Sequence, residues 1–261
     1  MPLGPRFVTR NLFNVAHTLN LSLPLRTRIG LERPGTLQKI ALVAPDLSFV
    51  YVTVPKAANS TIKRALFALY DKPPAESHPD ALHASPGPYR TISQLSRSEI
   101  NLAFRDPRTY RFTFVRNPYA RILSAYWDKI VDDNRRGYGN RYARKLEIST
   151  NATFEQFIFS VADQPDRSSD WYWLSQTHCT MLNLIDYSLV GRVESLADDL
   201  AQVLSSIGHS SRSREPVAHL NRRAKQPSGD IYTKRIADIV FRRYQDDFAN
   251  FKYDRESWRT I

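Results

Sequence analysis

Two short stretches hold most of the groups able to grip an anion. Lys56 is followed by Ala57, Ala58 and Asn59, then by the hydroxyls of Ser60 and Thr61. The lysine offers a point charge, the hydroxyls donate hydrogen bonds, and the small side chains let an anion approach the backbone. The second stretch contains Arg116, Arg121 and Ser124. An arginine binds two oxygens of one anion in parallel, which a lysine cannot do. A reaction at such a site also needs a proton acceptor titrating near neutrality. Six histidines are available for that: His17, His78, His83, His178, His209 and His219.

The elements that must position these groups are legible around them. Phe49 to Val54 is β-branched and aromatic, as a buried parallel strand should be. Pro55 stops the ladder, having no N–H to donate. Ala58, Ile62, Ala65, Leu66 and Leu69 then recur at helical spacing. Lys56 to Thr61 therefore forms a turn at a helix N-terminus, where unpaired N–H groups and the helix dipole favour an anion. On its own this fits any strand–turn–helix with a solvated lysine. Tyr110 to Val115 is a second strand, with Arg116 at its end. Asn117 is a good N-cap and Pro118 a good first helical residue. In that helix Arg121, Ser124 and Asp128 share one face, while Tyr119, Leu123, Tyr126 and Ile130 share another. Both turns would lie on one edge of a parallel sheet, the edge at which open α/β sheets bind ligands. A ligand carrying two separate phosphates fits that layout. No Gly-Lys pair occurs in the chain, so the Walker pattern of ATP and GTP loops is missing.

In these two motifs the chain resembles the sulfotransferases that use 3′-phosphoadenosine 5′-phosphosulfate (PAPS), in particular the carbohydrate sulfotransferase family (sulfotransferase family 2). The run Val54-Pro55-Lys56-Ala57-Ala58-Asn59-Ser60-Thr61 is similar to that family's 5′-phosphosulfate loop. Phe114 to Tyr126 is similar to its 3′-phosphate motif. The similarity runs from about Phe49 to Tyr253. The resemblance implies a three-layer, P-loop-like α/β fold with a central parallel sheet. It implies PAPS as co-substrate, adenosine 3′,5′-bisphosphate (PAP) as product, and no metal. Lys56 and the loop Ala57, Ala58, Asn59, Ser60 and Thr61 would hold the 5′-phosphosulfate, with Lys56 stabilising charge on the leaving phosphate. Arg116 and Ser124 would hold the 3′-phosphate. The acceptor would be a glycan or another hydroxyl-bearing molecule, with anionic character compatible with the charge of the chain.

The family often has an Asp-x-His-Trp-x-Pro-Gln pattern where this chain reads Asp170-Trp171-Tyr172-Trp173-Leu174-Ser175-Gln176. Tyr172 stands in place of the histidine and Ser175 in place of the proline. The three adjacent aromatics suit stacking on a sugar, and at least one of them suits the core. His83, in the loop between the two motifs, is the candidate base; an exposed loop histidine with no role is the alternative. Tyr172 is the rival, although a phenol near pKa 10 needs strong perturbation to act as a base. Two other readings stay open: a non-catalytic polyanion-binding module on the same fold, and a P-loop-type nucleotide kinase.

The formal net charge is +11 over 261 residues, with 42% hydrophobic and 24% charged residues. That balance suits a globular chain with a real core and anionic partners. No zinc-finger or RNP1-like string points to nucleic acid, and neither H-E-x-x-H nor C-x-x-C points to a metal. No apolar run reaches the roughly 18 residues that span a bilayer. Golgi members of the resembled family carry a membrane anchor, so a bacterial, cytoplasmic enzyme is expected here. The lone Cys179 excludes an internal disulfide.

Residues 1–34 are read as an N-terminal extension whose amphipathic stretch packs on the domain, with a partner or membrane surface as the alternative. Residues 35–261 are read as one domain. Asp71 to Pro88 is a Pro- and Ser-rich loop, followed by a short helix from Ser93 to Phe104, capped by Ser96 or Ser98. Arg135 to Lys145 is a basic surface loop. Thr153 to Ala162 is helical. Tyr187 to Val190 is a third strand, after which Ser195 opens a helix with Asp198 as capping partner. Arg222 or Arg223 is placed near a phosphate by the resemblance, and Asp230 is expected to cap the last helix.

Overall fold

The alternation of apolar strands and amphipathic helices builds a mixed α/β domain. A computed structural model describes residues 41–70, 86–132, 141–208 and 231–261. Its four strands lie in the order β1 (Ala41–Val43), β2 (Phe49–Val52), β3 (Tyr110–Val115), β4 (Leu189–Arg192). The first pair is antiparallel, and β2, β3 and β4 run parallel. The sheet is therefore mostly parallel, with an antiparallel edge strand drawn from the expected lead-in.

Helices follow at the strand ends. They are α1 (Asn59–Ala68), α2 (Arg97–Arg105), α3 (Pro118–Tyr126), α4 (Arg141–Lys145), α5 (Phe154–Ala162), α6 (Gln176–Thr180), α7 (Leu196–Ser206), α8 (Lys234–Arg243) and α9 (Gln245–Phe251). Side-chain alternation along the strands splits the core in two. Phe49, Tyr51, Phe112 and Phe114 face α1 and α7 through Ile62, Leu66, Leu200 and Val203. Ala41, Val43, Val50 and Val52 face the other way, onto Ile100 and Phe104 of α2 and onto Met181 and Ile185. Helices thus cover both faces of the sheet, as the three-layer expectation required. A third cluster joins α3, α4, α5, α8 and α9 around Tyr119, Phe157, Trp173 and Tyr244.

Several boundaries differ from expectation for identifiable reasons. β2 stops at Val52, and Val54 packs instead with Ala57, Leu174 and Cys179. β4 lies two residues further on than Tyr187–Val190. Gly191 reads as a breaker but is inside the strand, paired with Phe114, and an added Cβ would come within 2.5 Å of the Phe114 ring. Tyr187 is outside the strand, its hydroxyl donating to the Thr180 carbonyl. Ser96 does cap α2, with Glu99 completing a capping box. At α7 the Ser195 hydroxyl donates to Asp199, not Asp198. The last helix is broken at Tyr244 and α8 is capped by Thr233. Asp230, like residues 1–34, lies outside the described residues. Part of the expected basic loop, Arg141–Lys145, is helical, and Tyr142 in it is buried.

Candidate active site

Parallel pairing of β2 with β3 brings the two motifs to one edge. Phe49 pairs with Tyr110 and Val52 with Thr113; β3 runs on to Val115, and the turns at Lys56 and Arg116 follow at the same edge of the sheet. Arg116 Nη1 donates to the Lys56 carbonyl at 3.4 Å, and Arg121 Nε donates to the Pro55 carbonyl at 2.9 Å. The 5′-type loop and the 3′-type motif are in direct contact.

The loop itself has an unusual backbone. Lys56 and Ala58 both have positive φ, 66° and 55°. Residues with a Cβ pay for that conformation, which recurs where a tight turn has a task. Ala58 occupies the N-cap position of α1 without a side-chain cap, and the first turn of α1 has no acidic residue. Helices α2, α3, α5, α6 and α8, by contrast, are capped by Ser96, Asn117, Thr153, Ser175 and Thr233. The N-terminal N–H groups of a helix have no intrahelical acceptor, so the α1 end has the electrostatics of an anion seat. Ala57 and Thr61 are buried, whereas Ala58, Asn59 and Ser60 are partly exposed. Asn59 accepts a hydrogen bond from the Tyr51 hydroxyl at 3.2 Å.

The Lys56 ammonium pairs with Asp128 at 3.0 Å, and the same carboxylate oxygen pairs with Lys129 at 3.1 Å. Burial alone would raise the Asp128 carboxyl; the two lysines outweigh it and hold it below its ordinary value. Asp128 and Lys129 belong to a π-helical turn, Trp127–Asp132, that continues α3. Such wide turns re-aim side chains and are frequent at functional sites. Lys129 also stands 4.3 Å from the centre of the Tyr172 ring and 5.5 Å from that of Tyr142, within cation–π range.

Arg116 is half-buried, and burial pulls its guanidinium down from the ordinary value while the Glu194 carboxylate opposes this. Its backbone is clamped by the Gln176 amide, which accepts from the Arg116 N–H and donates to the Arg116 carbonyl, each at 2.8 Å. Gln176 is held in turn by Asp247, whose two oxygens accept the Gln176 and Thr177 N–H groups at 2.8 and 2.7 Å. Asp247 is 1% exposed, and its burial raises the carboxyl above its ordinary value. Glu194 accepts from the Asn117 N–H at 2.7 Å and from the Tyr253 hydroxyl at 3.0 Å.

Lys56, Ala57, Ala58, Asn59, Ser60, Thr61 and Arg116 therefore line one sheet edge. Ser124 lies half-buried on α3 between Arg121 and Asp128, both of which touch the loop. His83, Arg222 and Arg223 lie outside the described residues. Of the aromatic run, Trp173 is core, fully buried with its indole N–H on Gln164. Trp171 and Tyr172 are half-buried. Burial and the Asp128 charge both raise the Tyr172 phenol, moving it further from the range of a base working near neutrality. Asp128, Lys129, Gln176, Glu194 and Asp247 were not singled out as site residues from sequence. A signal existed for Asp128, which shares a helical face with Arg121 and Ser124. Gln176, Glu194 and Asp247 act through contacts distant in the chain.

The edge defines a class: α/β proteins whose strand-to-helix turns meet at the carboxyl ends of parallel strands. Within it, the chain belongs to the sulfotransferase family, whose family model matches residues 40–254. Similar curated proteins include carbohydrate sulfotransferase 14 of Danio rerio, 29% identical over 225 residues, covering 79% of this chain and 58% of that protein. Carbohydrate sulfotransferase 11 of Mus musculus is 27% identical over 244 residues, covering 84% of this chain and 68% of that protein. Carbohydrate sulfotransferase 12 of Mus musculus is 22% identical over 274 residues, covering 90% and 65%. The chain thus spans well under the full length of these relatives, 58% of the first. They are animal proteins, so the expectation of a bacterial-type chain draws no support from them. No solved structure matches the chain significantly. Among the described residues no group of side chains could hold a metal ion, and no helix is long and apolar enough to cross a membrane.

Proposed function

We propose that the chain moves a sulfuryl group from PAPS to a hydroxyl or amine of a carbohydrate acceptor and releases PAP. The observation that carries this reading is the α1 N-terminus, whose N-cap Ala58 supplies no side-chain cap, following Lys56, whose carbonyl Arg116 holds. The matched family and the names of the relatives support sulfuryl transfer and a carbohydrate acceptor. In the reaction the acceptor oxygen attacks sulfur and the bond from sulfur to the 5′-phosphate oxygen breaks. That oxygen keeps the electron pair, and the acceptor proton passes to a base. Lys56 neutralises the charge that grows on the leaving phosphate, an interaction strongest in the transition state. The α1 N–H groups and the Ser60 and Thr61 hydroxyls bind the 5′-phosphate. Arg116, half-buried, binds the 3′-phosphate with Ser124. Half-buried Trp171 and Tyr172 offer the acceptor a surface for stacking.

The test is transfer from a labelled PAPS donor across a panel of glycans, together with titration by PAP and 5′-AMP. Tighter binding of PAP than of 5′-AMP, and label on one glycan class, are expected. Equal affinity for the two nucleotides would overturn the donor assignment, and PAP binding without transfer to any acceptor would leave a polyanion-binding module.

A further inference from the structure

A buried guanidinium takes no part in the chemistry above. Arg121 is 1% exposed. Its Nε donates to the Pro55 carbonyl at 2.9 Å, and its Nη1 to the Leu174 carbonyl at 2.8 Å. Nη2 is buried without a hydrogen-bond partner. Among the described residues no carboxylate forms an ion pair with it; the fully buried Asp247 feels its charge but spends its oxygens on the Gln176 and Thr177 N–H groups. An arginine this desolvated with only carbonyl partners is expensive to keep.

What it holds is the start of the strained loop. The peptide between Pro55 and Lys56 is rigid and trans, so its N–H points opposite to its carbonyl. Fixing the Pro55 carbonyl on Arg121 therefore orients the Lys56 N–H, and with the Lys56 carbonyl held by Arg116 both peptide planes flanking Lys56 are held in its positive-φ conformation. The next carbonyl, that of Lys56, is taken by Arg116. Two arginines of one motif thus grip successive carbonyls of the other, and the chain reaches Ala58 in its second positive-φ conformation. The other arm of Arg121, on Leu174, ends in the segment that follows Trp171, Tyr172 and Trp173.

The geometry points to Arg121 as a positioning residue that shapes the 5′-phosphate half of the donor site and ties it to the acceptor-side aromatic segment. This rests on the donor reading above. Arginine suits the task and lysine does not, because only the planar guanidinium reaches two carbonyls from fixed directions.

The test uses the full chain as wild type, Arg121→Met, Arg121→Lys and the double variant Arg121→Met/Ala58→Gly. Each is titrated with PAP, 3′-AMP and 5′-AMP, and its melting temperature is recorded. In Arg121→Met, PAP affinity should fall about tenfold or more while 3′-AMP affinity stays within about twofold of wild type. Arg121→Lys should show the same split, smaller. Ala58→Gly should restore part of the lost PAP affinity, because glycine adopts a positive φ freely. A purely structural role would lower the melting temperature and weaken both nucleotides in parallel, with no rescue by glycine, and that result overturns the inference, as does unchanged PAP affinity. Should Arg121→Met not fold, the Arg121→Lys split decides in the same way. A wild type that does not prefer PAP to either monophosphate removes the donor reading and this inference together; a preference kept by wild type without the split removes this inference alone.

Discussion

Asp128→Asn should make the protein bind PAP more tightly. The wild-type carboxylate neutralises Lys56 from 3.0 Å and Lys129 from 3.1 Å, with the three side chains only 15–20% exposed. At an effective dielectric of about 20, one unit-charge pair at that distance is worth about 5 kcal/mol before desolvation is counted. An incoming phosphosulfate or phosphate must draw Lys56 away from this partner, or share it at a cost in anion–anion repulsion. The amide is nearly the same shape but carries no charge, so both lysines become available to the ligand. Desolvation and residual solvent screening cancel most of the gross figure, leaving a gain of about 1–2 kcal/mol, roughly a tenfold increase in affinity. Calorimetry at low and high salt measures it, and the gain should shrink as salt screens the uncompensated lysines. The free protein should lose stability, because two ammonium groups remain close together with no anion between them, and PAP should raise its melting temperature more than that of wild type. The sign with pH follows from the depressed carboxyl: the ion pair stabilises fully above the unfolded pKa of about 3.9 and is lost as pH falls below it. Equal or weaker PAP binding by Asp128→Asn would refute the idea that Lys56 exchanges its aspartate for the donor.

Other outcomes follow from the same geometry. Lys56→Ala should cut turnover far more than PAP affinity, read from separate kcat and Kd measurements. Arg116→Ala should weaken PAP by about 2–5 kcal/mol and leave 5′-AMP nearly unchanged, by competition titration. His83→Ala should lose most turnover while keeping donor affinity, and Tyr172→Phe should lose much less; a wild-type rate in His83→Ala moves the base elsewhere. Asp247→Ala strands the buried Gln176 N–H and the part-buried Thr177 N–H of α6 and should cost about 2–5 kcal/mol in denaturant unfolding, with PAP affinity falling as Gln176 loosens its hold on Arg116.

Much of the candidate site's edge was legible because its determinants are local. Apolar runs set β2 and β3, and Asn117-Pro118 opened the following helix within a few residues, whereas the β2 ladder stops at Val52, short of Pro55. β4 was harder to place because the glycine that usually ends a strand is there to admit the Phe114 ring, a requirement that arises only across the sheet. The supporting groups were less legible still. Gln176 reaches back to Arg116 across 60 positions, and Asp247 reaches Gln176 across 71. Helical periodicity grouped Arg121, Ser124 and Asp128 correctly, but spacing carries no information about which carbonyl or ammonium lies opposite.

The wide turn from Trp127 to Asp132 bears on how such a site is inherited. A π-helical turn is what an α-helix becomes when one residue is inserted without breaking the helix. Removing one residue between 127 and 132 would let the helix close to its regular pitch, and the side chains inside the turn, Asp128 and Lys129 among them, would be re-aimed while the helix on either side kept its course. The Asp128–Lys129 pair would then face a different neighbour from Lys56 and Tyr172. In descendants of this chain, a single-codon length change in that segment would alter the charge around Lys56 without touching either motif.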